Sequence, residues 1–438
     1  MARSIVLTIA FSLLASVAIG GLSGTYTVKP DGTGDFLSLS AAGEALTDSG
    51  MSGNCLFEVH GDTQPGQCSV GPVAGSDSWT TTFRPGPGAS PVLSDGEFNA
   101  GNYHNVKIES LRFLRAPITI GSCSGWRISG CRITTESRAV KLSNSTGDTL
   151  DANTVNVVSA GTGYDTTIVV ESGTGNTIFN NVVNSESCPA EALVHFSGEQ
   201  NTRFVFNTLR LSSWRMPMSY CFEAWCERPC DVRNNVFVLA RPAESTNACV
   251  GIRPIGDSVV PDYNCYFVES LGHACASPDP FYPNLYTWDE WRGFGFEANG
   301  INADPILASA IDLHLRQGSP CIGTATPIAG IDFDIDGDPR DPAHPDIGAD
   351  EFTGGAVGET QSAEVRATHA STVIHGMLLL PERQNSSTIT GCLLDINGRE
   401  VMELRSGAND VRALAPGVYF VREAQAQAQV VRKVVVTR

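Results

Sequence analysis

The chain of 438 residues is short of positive charge. It carries 29 Lys and Arg against 47 Asp and Glu, a formal charge of −18. Nucleic acid needs a basic face to meet its phosphates, so it is not an expected partner. The acidity suits solubility or cation binding instead. Long apolar runs are also missing. Residues 5–19 form the one candidate, and a membrane-spanning helix needs about twenty. Between residues 108 and 268 there is no apolar face of helix length, which argues against a helical body. Zinc-finger and zinc-ribbon spacings are absent as well, and no paired-His motif accompanies the cysteines.

The apolar run at 5–19 follows Arg3 and is followed by Gly20, Gly21 and Ser23. A charged start, a short apolar core and a small-residue exit describe a secretory leader over residues 1–23. The expected location is therefore outside the cell or on its outer surface, with no membrane span once the leader is removed. Thirteen cysteines are present. Cys392 stands alone near the C-terminus, and the other twelve lie between Cys55 and Cys321. Export makes disulfides an expectation, with a metal site at Cys221, Cys226 and Cys230 or buried thiols as the alternatives. Cys131 reads as an interior filler.

Seven segments between residues 108 and 268 share one template. The anchors are Leu111, Cys131, Asn153, Asn181, Asn207, Asn235 and Asn264, spaced 20, 22, 28, 26, 28 and 29 residues apart. Three before each stand Ile108, Ile128, Leu150, Ile178, Phe204, Val232 and Pro261, the last breaking the apolar pattern. Two after each stand Phe113, Ile133, Val155, Val183, Leu209, Phe237 and Tyr266. A repeat of this length is one supersecondary unit stacked on its copies. Each unit is rich in β-formers and punctuated by Gly, Asn and Ser. The predicted fold is all-β: a right-handed parallel β-helix with one coil per repeat. Asn at the anchors suits a sharp turn, where it tolerates the left-handed conformation and bonds the backbone. Amides stacked about 4.8 Å apart can also pair along the stack.

The N-terminal body predicts a strand, a glycine turn at residues 30–36 and a short helix over 37–46 capped by Ser38. Such a segment would cover the first coil's exposed interior. The stretch around Asp31-Gly-Thr-Gly-Asp35-Phe36 resembles the opening of pectin-lyase-like β-helix proteins, pectin methylesterases among them. At the other end, residues 288–352 include Asp304-Pro305, Gly318-Ser319-Pro320, Asp334-x-Asp336-Gly337-x-x-Arg340 and Asp346-Ile-Gly-Ala-x-Glu351-Phe352. These ordered motifs resemble the closing part of many secreted bacterial right-handed β-helix proteins. That resemblance implies architecture and no reaction. The β-helix with its cap and closing segment is therefore assigned to residues 24–352.

Residues 353–371 are small and polar and read as a linker. Beyond it, 372–438 is β-rich, with strand candidates at 373–380, 388–396, 400–404, 417–422 and 430–436 and a hairpin turn at Asn397-Gly398. A small sandwich is expected. From 360 onward the chain carries nine basic and seven acidic residues, a net of +2, which leaves −20 on the body. Residues 393–401, 414–421 and 432–438 resemble the C-terminal sorting domain of the type IX secretion system. The resemblance implies that secretion machinery is a partner and that the module serves as an export address. An accessory sandwich that binds carbohydrate is the alternative.

Two groups could carry chemistry. Arg203 and Asp231 stand four before their anchors, and Arg233 and Asp262 stand two before theirs. Shared parity puts all four outward in one patch. The patch could bind an anionic sugar or abstract a proton, and it also fits a solvated salt-bridge ladder. The second group is Asp332, Asp334, Asp336 and Asp338 around Gly337, which resembles the first half of a calcium loop. Ala343 occupies the twelfth position, so Ca2+ there would need distant ligands. The Asp, Gln and Arg motifs of pectin methylesterases are absent, as are the Asn-Thr-Asp, Asp-Asp and Gly-His-Gly strings of polygalacturonases. The expected role is binding to or display on extracellular polysaccharide. A polysaccharide lyase or hydrolase with an unrecognised site is one alternative, and a structural or adhesive surface protein is another.

Overall fold

The structure is a computed structural model. It describes residues 20–354 apart from 159–165, 186–191, 213–219, 241–247, 253–258, 270–273 and 278–284. It also describes 368–437 apart from 376, 381–388, 395–398, 406, 413, 415–416 and 425–428. Most of the predicted leader, most of the linker and the Asn397-Gly398 turn lie outside the described residues. The chain divides into two units, 1–354 and 355–438.

Each coil of the first unit contributes one strand to each of three parallel sheets, making a right-handed β-solenoid of about 8 turns. Sheet A has ten strands, from Leu22–Val28 to Val259–Asp262. Sheet B has ten, from Thr63–Pro65 to Ile301–Asn302, and sheet C has nine, from Cys68–Val70 to Ala274–Ser277. The repeat template is the register itself. Ile108, Ile128, Leu150, Ile178, Phe204, Val232 and Pro261 pair in sequence along sheet A. Phe113, Ile133, Val155, Val183, Leu209, Phe237 and Tyr266 do so along sheet B. Both rows point into the solenoid, and none of their side chains reaches solvent to any useful extent. Pro261 is tolerated because its row needs an apolar filler, and Val232 and Phe204 continue the stack beneath it.

The turn between sheets A and B corrects one expectation. The left-handed residue is the one before each anchor: Ser110, Gly130, Ala152, Asn180, Phe206, Asn234 and Tyr263 all have φ between 52° and 63°. The anchors turn inward instead. Asn153, Asn181, Asn207, Asn235 and Asn264 form a buried ladder. In the first four, the backbone N–H and the side-chain N–H2 both donate to the Oδ1 of the next Asn, at 2.8–3.1 Å. The same N–H2 groups also donate to strand carbonyls, such as Ile178 O from Asn207. The ladder therefore satisfies backbone groups that a sharp interior turn would otherwise leave orphaned.

Both ends of the interior are covered. Helix α1 (Leu39–Ser49) is capped by the Ser38 hydroxyl, which accepts from Ala41 N–H at 3.2 Å. It buries Leu39, Ala42, Gly43 and Leu46. Asp35 braces the preceding turn by accepting from Thr27 N–H and Oγ1 at 2.7 and 2.8 Å. The first strand starts at Leu22, so residues assigned to the leader's last positions already pair with Met51. At the far end, α2 (Trp288–Gly293) starts with a Thr287/Glu290 capping box and buries Trp291. Glu297 then ends the Asn ladder. Its carboxylate accepts Asn264 N–H and N–H2 at 3.1 and 2.8 Å and the Tyr266 hydroxyl at 2.7 Å.

The closing segment is more than an end cap. From Ile301 to Phe352 it runs along the outer face of sheet B, where Leu315, Cys321, Ile328, Ile331 and Ile347 pack on Val205, Phe206, Val236 and Val238. Thr208, Asn180, Asn184 and Asn234 bond its backbone. In the second unit, strands Thr368–His375, Gln429–Thr437, Gly417–Ala424, Ile389–Leu394 and Glu400–Arg405 form one sheet in that order, antiparallel except for the first pair. A second two-stranded sheet pairs Met377–Leu380 with Gly407–Asp410, and Leu393, Leu404, Val411 and Val421 form the core.

Candidate functional site

Strand alternation sends every second residue of sheet A outward, and parallel pairing stacks these residues in rows about 4.8 Å apart. One outward row reads Thr25, Leu56, Thr82, Lys107, Arg127, Thr149, Thr177, Arg203, Asp231. The neighbouring row includes Glu58, Arg84, Glu109, Ser129, Asp151, Arg233 and Asp262. The first row is thus dominated by hydroxyls and cations, and acids are concentrated in the second.

Most of these charges are paired. Arg84 reaches Glu58 at 3.1 Å. Arg127 holds Asp151 through two bonds of 2.8 Å, and Ser129 Oγ adds a third at 2.9 Å. Lys107 differs. It is exposed, and no carboxylate lies within ion-pair distance of it among the described residues. It lines an open groove of about 500 Å³ with Thr25, Asn54, Thr80, Thr82, Arg84 and Glu109. A second groove continues from Arg84 and Glu109 past Glu58 and Pro87.

The four residues singled out at the C-terminal end of this face are neighbours, as their register requires, but they do not act as one group. Arg233 binds Asp231 through bonds of 2.6 and 2.8 Å, which raises the guanidinium's already high pKa. Arg203 sits 3.9 Å from the same carboxylate. Asp262 turns away and accepts Asn299 N–H and N–H2 at 2.8 and 2.9 Å. The result is a closed set of partners on a nearly flat surface.

The four aspartates of the closing segment do not converge. Asp334 is buried and organises the turn: it accepts Asp336 N–H, Asp338 N–H and Glu351 N–H at 2.8–2.9 Å. Asp332 is exposed and Asp338 half-buried, and neither joins a cluster of cation-binding donors among the described residues. Asp336 reaches His314 Nε2 at 2.7 Å, and Asp312 faces the ring's Nδ1. The bond from Asp336 leads in pushing the imidazole up to about 9. The conspicuous Arg340 is structural. It is buried over the Phe206 ring, 4.0 Å from its centroid, and donates to Glu351, Asn180 Oδ1 and the carbonyls of Asp346, Gly348 and Ala349.

Sheet C holds a pair not anticipated above. His195 Nδ1 lies 2.7 Å from Glu223 Oε2 on adjacent outward positions, and Trp225 packs edge-on against the imidazole at 5.3 Å. The pair is mostly buried, with side-chain exposures of 17 % and 6 %. A carboxylate on Nδ1 fixes the tautomer and leaves Nε2 to accept a proton, the arrangement of a general base. A signal was present in the sequence, because His195 and Glu223 both stand twelve before an anchor, as do Lys141 and Val169. On the same sheet Lys141 reaches Glu171 at 2.9 Å.

The eleven described cysteines with assigned thiols are all buried and none is in a disulfide in this structure, contrary to the expectation of a bridged exterior protein. Burial pushes Cys131 and Cys221 up to about 12, so these are inert fillers. Cys226 and Cys230 hydrogen-bond each other across the corner from sheet C to sheet A, and no metal-binding group forms with Cys221 among the described residues.

No helix among the described residues is long and apolar enough to cross a membrane. No family model matches the chain, and no curated protein matches it. Among solved structures, the crystal structure of pectate lyase Pel9A is similar at a TM-score of 0.41 and 11 % identity, over 75 % of this chain and 96 % of that one. The parallel β-helix architecture of the chain is read directly from its three sheets and their register.

Proposed function

We propose that this chain is an exported or cell-surface β-helix that binds an extracellular polysaccharide along the outer face of sheet A, without cleaving it. The observation that carries the reading is Lys107, exposed and outside ion-pair distance of any carboxylate among the described residues, in a groove of Thr and Asn side chains with Arg84 and Glu109. Arg127 and Arg203 continue its row. Hydroxyls and fixed cations recognise sugar hydroxyls and uronic carboxylates. A glycan array with polygalacturonate, alginate and neutral glucans tests it. Binding to an acidic polysaccharide that weakens roughly tenfold in Lys107→Ala, the loss of one charge-assisted contact, is expected. Equal binding by the variant removes the groove.

The leader-like start and the sorting-domain motifs support delivery through an outer-membrane secretion route, with the second unit as the address. A second reading, cleavage of the polysaccharide, is favoured by His195 and Glu223 as a base with its orienting carboxylate. Release of unsaturated or reducing ends by wild type, abolished in His195→Ala, would establish that reading over simple binding.

A further inference from the structure

The closing segment carries three donor atoms that the polysaccharide reading does not use. One each from His314, Asp336 and Asp350 lie within 4.8 Å of one another. They come from separate stretches of chain, brought together as the segment folds along sheet B. Asp350 is the informative member. It is 8 % exposed, and of its two oxygens only Oδ2 holds a hydrogen bond, from Leu315 N–H at 2.7 Å. No cationic side chain stands within ion-pair distance of it among the described residues. Asp350, Asp336 and Asp312 thus gather around the single imidazole of His314, and an excess of carboxylates around one such group is an arrangement that a divalent cation relieves.

We propose that His314, Asp336 and Asp350 bind one divalent first-row transition ion, Zn2+ or Mn2+, at the outer edge of the closing segment. The donor set decides the class. Calcium prefers six or more oxygens, whereas an imidazole nitrogen with two carboxylates suits the borderline ions. The ion replaces the proton that His314 Nε2 now shares with Asp336 Oδ2. Water completes the shell on the exposed side, where Asp336 lies. Only Asp336 of the four motif aspartates takes part, since Asp334 is committed to three backbone N–H groups. An ion there would tie the 312–315 stretch to the 334–350 stretch.

The test uses the full chain, freed of metal with a chelator and titrated calorimetrically with Zn2+, Mn2+ and Ca2+. One saturable site for Zn2+ or Mn2+ is expected, with a raised melting temperature and Ca2+ at least tenfold weaker. Asp336→Asn changes an exposed group, so its fold should be intact by circular dichroism. It should lose at least tenfold in affinity, and Asp350→Asn should do the same. Co2+ spectra of wild type should lack thiolate charge-transfer bands. No saturable binding would overturn the proposal, as would equal affinity in both variants, preference for Ca2+ or ligation by thiolate.

Discussion

At the scale of single residues, the anchor asparagines do two jobs that a loop asparagine does not. Asn181, Asn207 and Asn235 are buried, and each accepts two N–H donors from one neighbouring rung and donates to the next. Asn207→Leu removes the acceptor for Asn181 N–H and N–H2 and leaves Asn235 Oδ1 and Ile178 O without one of their donors. Buried polar groups left this way cost about 1–3 kcal/mol each, so the unfolding free energy should fall by at least about 2 kcal/mol and the midpoint of chemical denaturation with it. An unchanged midpoint would mean the ladder contributes no stability. The position of these residues was legible because the turn from sheet A to sheet B never changes length. Their conformation was not. Asn tolerates the left-handed region, yet the ladder holds the anchor inward and leaves that region to its predecessor, including the bulky Phe206 and Tyr263.

Glu297, which ends the ladder, was invisible in the sequence because it belongs to no repeat. Burial pushes its carboxyl up to about 7, above the ordinary 4.5. Between those values the folded form holds a proton that the unfolded chain releases. Stability is therefore fully present below about pH 4.5 and falls as pH rises to 7, by up to about 3 kcal/mol from this group. Urea midpoints across pH 4.5–7.5 should show that decline in wild type and a shallower one in Glu297→Gln. Identical slopes would exclude Glu297 as its source.

At the scale of elements, two strands per coil could be placed from sequence and the third could not. Sheets A and B flank the invariant turn, so fixed offsets from the anchor give their interior rows. Strands of sheet C follow connections whose lengths vary from coil to coil, and the offset of twelve that marks Lys141, Val169, His195 and Glu223 becomes visible only once the third sheet is known. The closing segment shows the opposite failure. Its acidic motif looks like a cation loop, but Asp334, Asp346 and Glu351 spend most of their oxygens on backbone N–H groups and Arg340. Packing on the outer face of sheet B, not the motif, decides their use. Arg340→Met should destabilise the first unit by about 3–5 kcal/mol, because Glu351 stays buried without its countercharge. A loss below about 1 kcal/mol, measured by denaturant unfolding, would show that the segment relaxes around the change.

At the scale of the molecule, the fold supplies a long, nearly flat face, and function depends on which charges along it remain available. The charge pattern made a patch at Arg203, Asp231, Arg233 and Asp262 legible, but not that Arg233 is consumed by Asp231 and Asp262 by Asn299. Lys107 and its groove escaped notice because Lys107 stands four before an anchor, Leu111, that is not an amide. The two units also make a prediction here. Deleting residues 360–438 should leave the solenoid folded, with the same melting temperature by circular dichroism, while export of the chain stops. Export unaffected by the deletion would assign the second unit a different task.

The central claim, that a polysaccharide lies along the Lys107–Arg127–Arg203 row, is tested most directly by affinity against oligosaccharide length. Rungs repeat every 4.8 Å or so, so each added uronic sugar should meet further hydroxyls or cations until the row is filled. Calorimetric titration with a di- to octasaccharide series should show affinity rising with length in wild type and a flatter rise in Lys107→Ala. Affinity independent of length, or a series that Lys107→Ala leaves unchanged, would contradict the account.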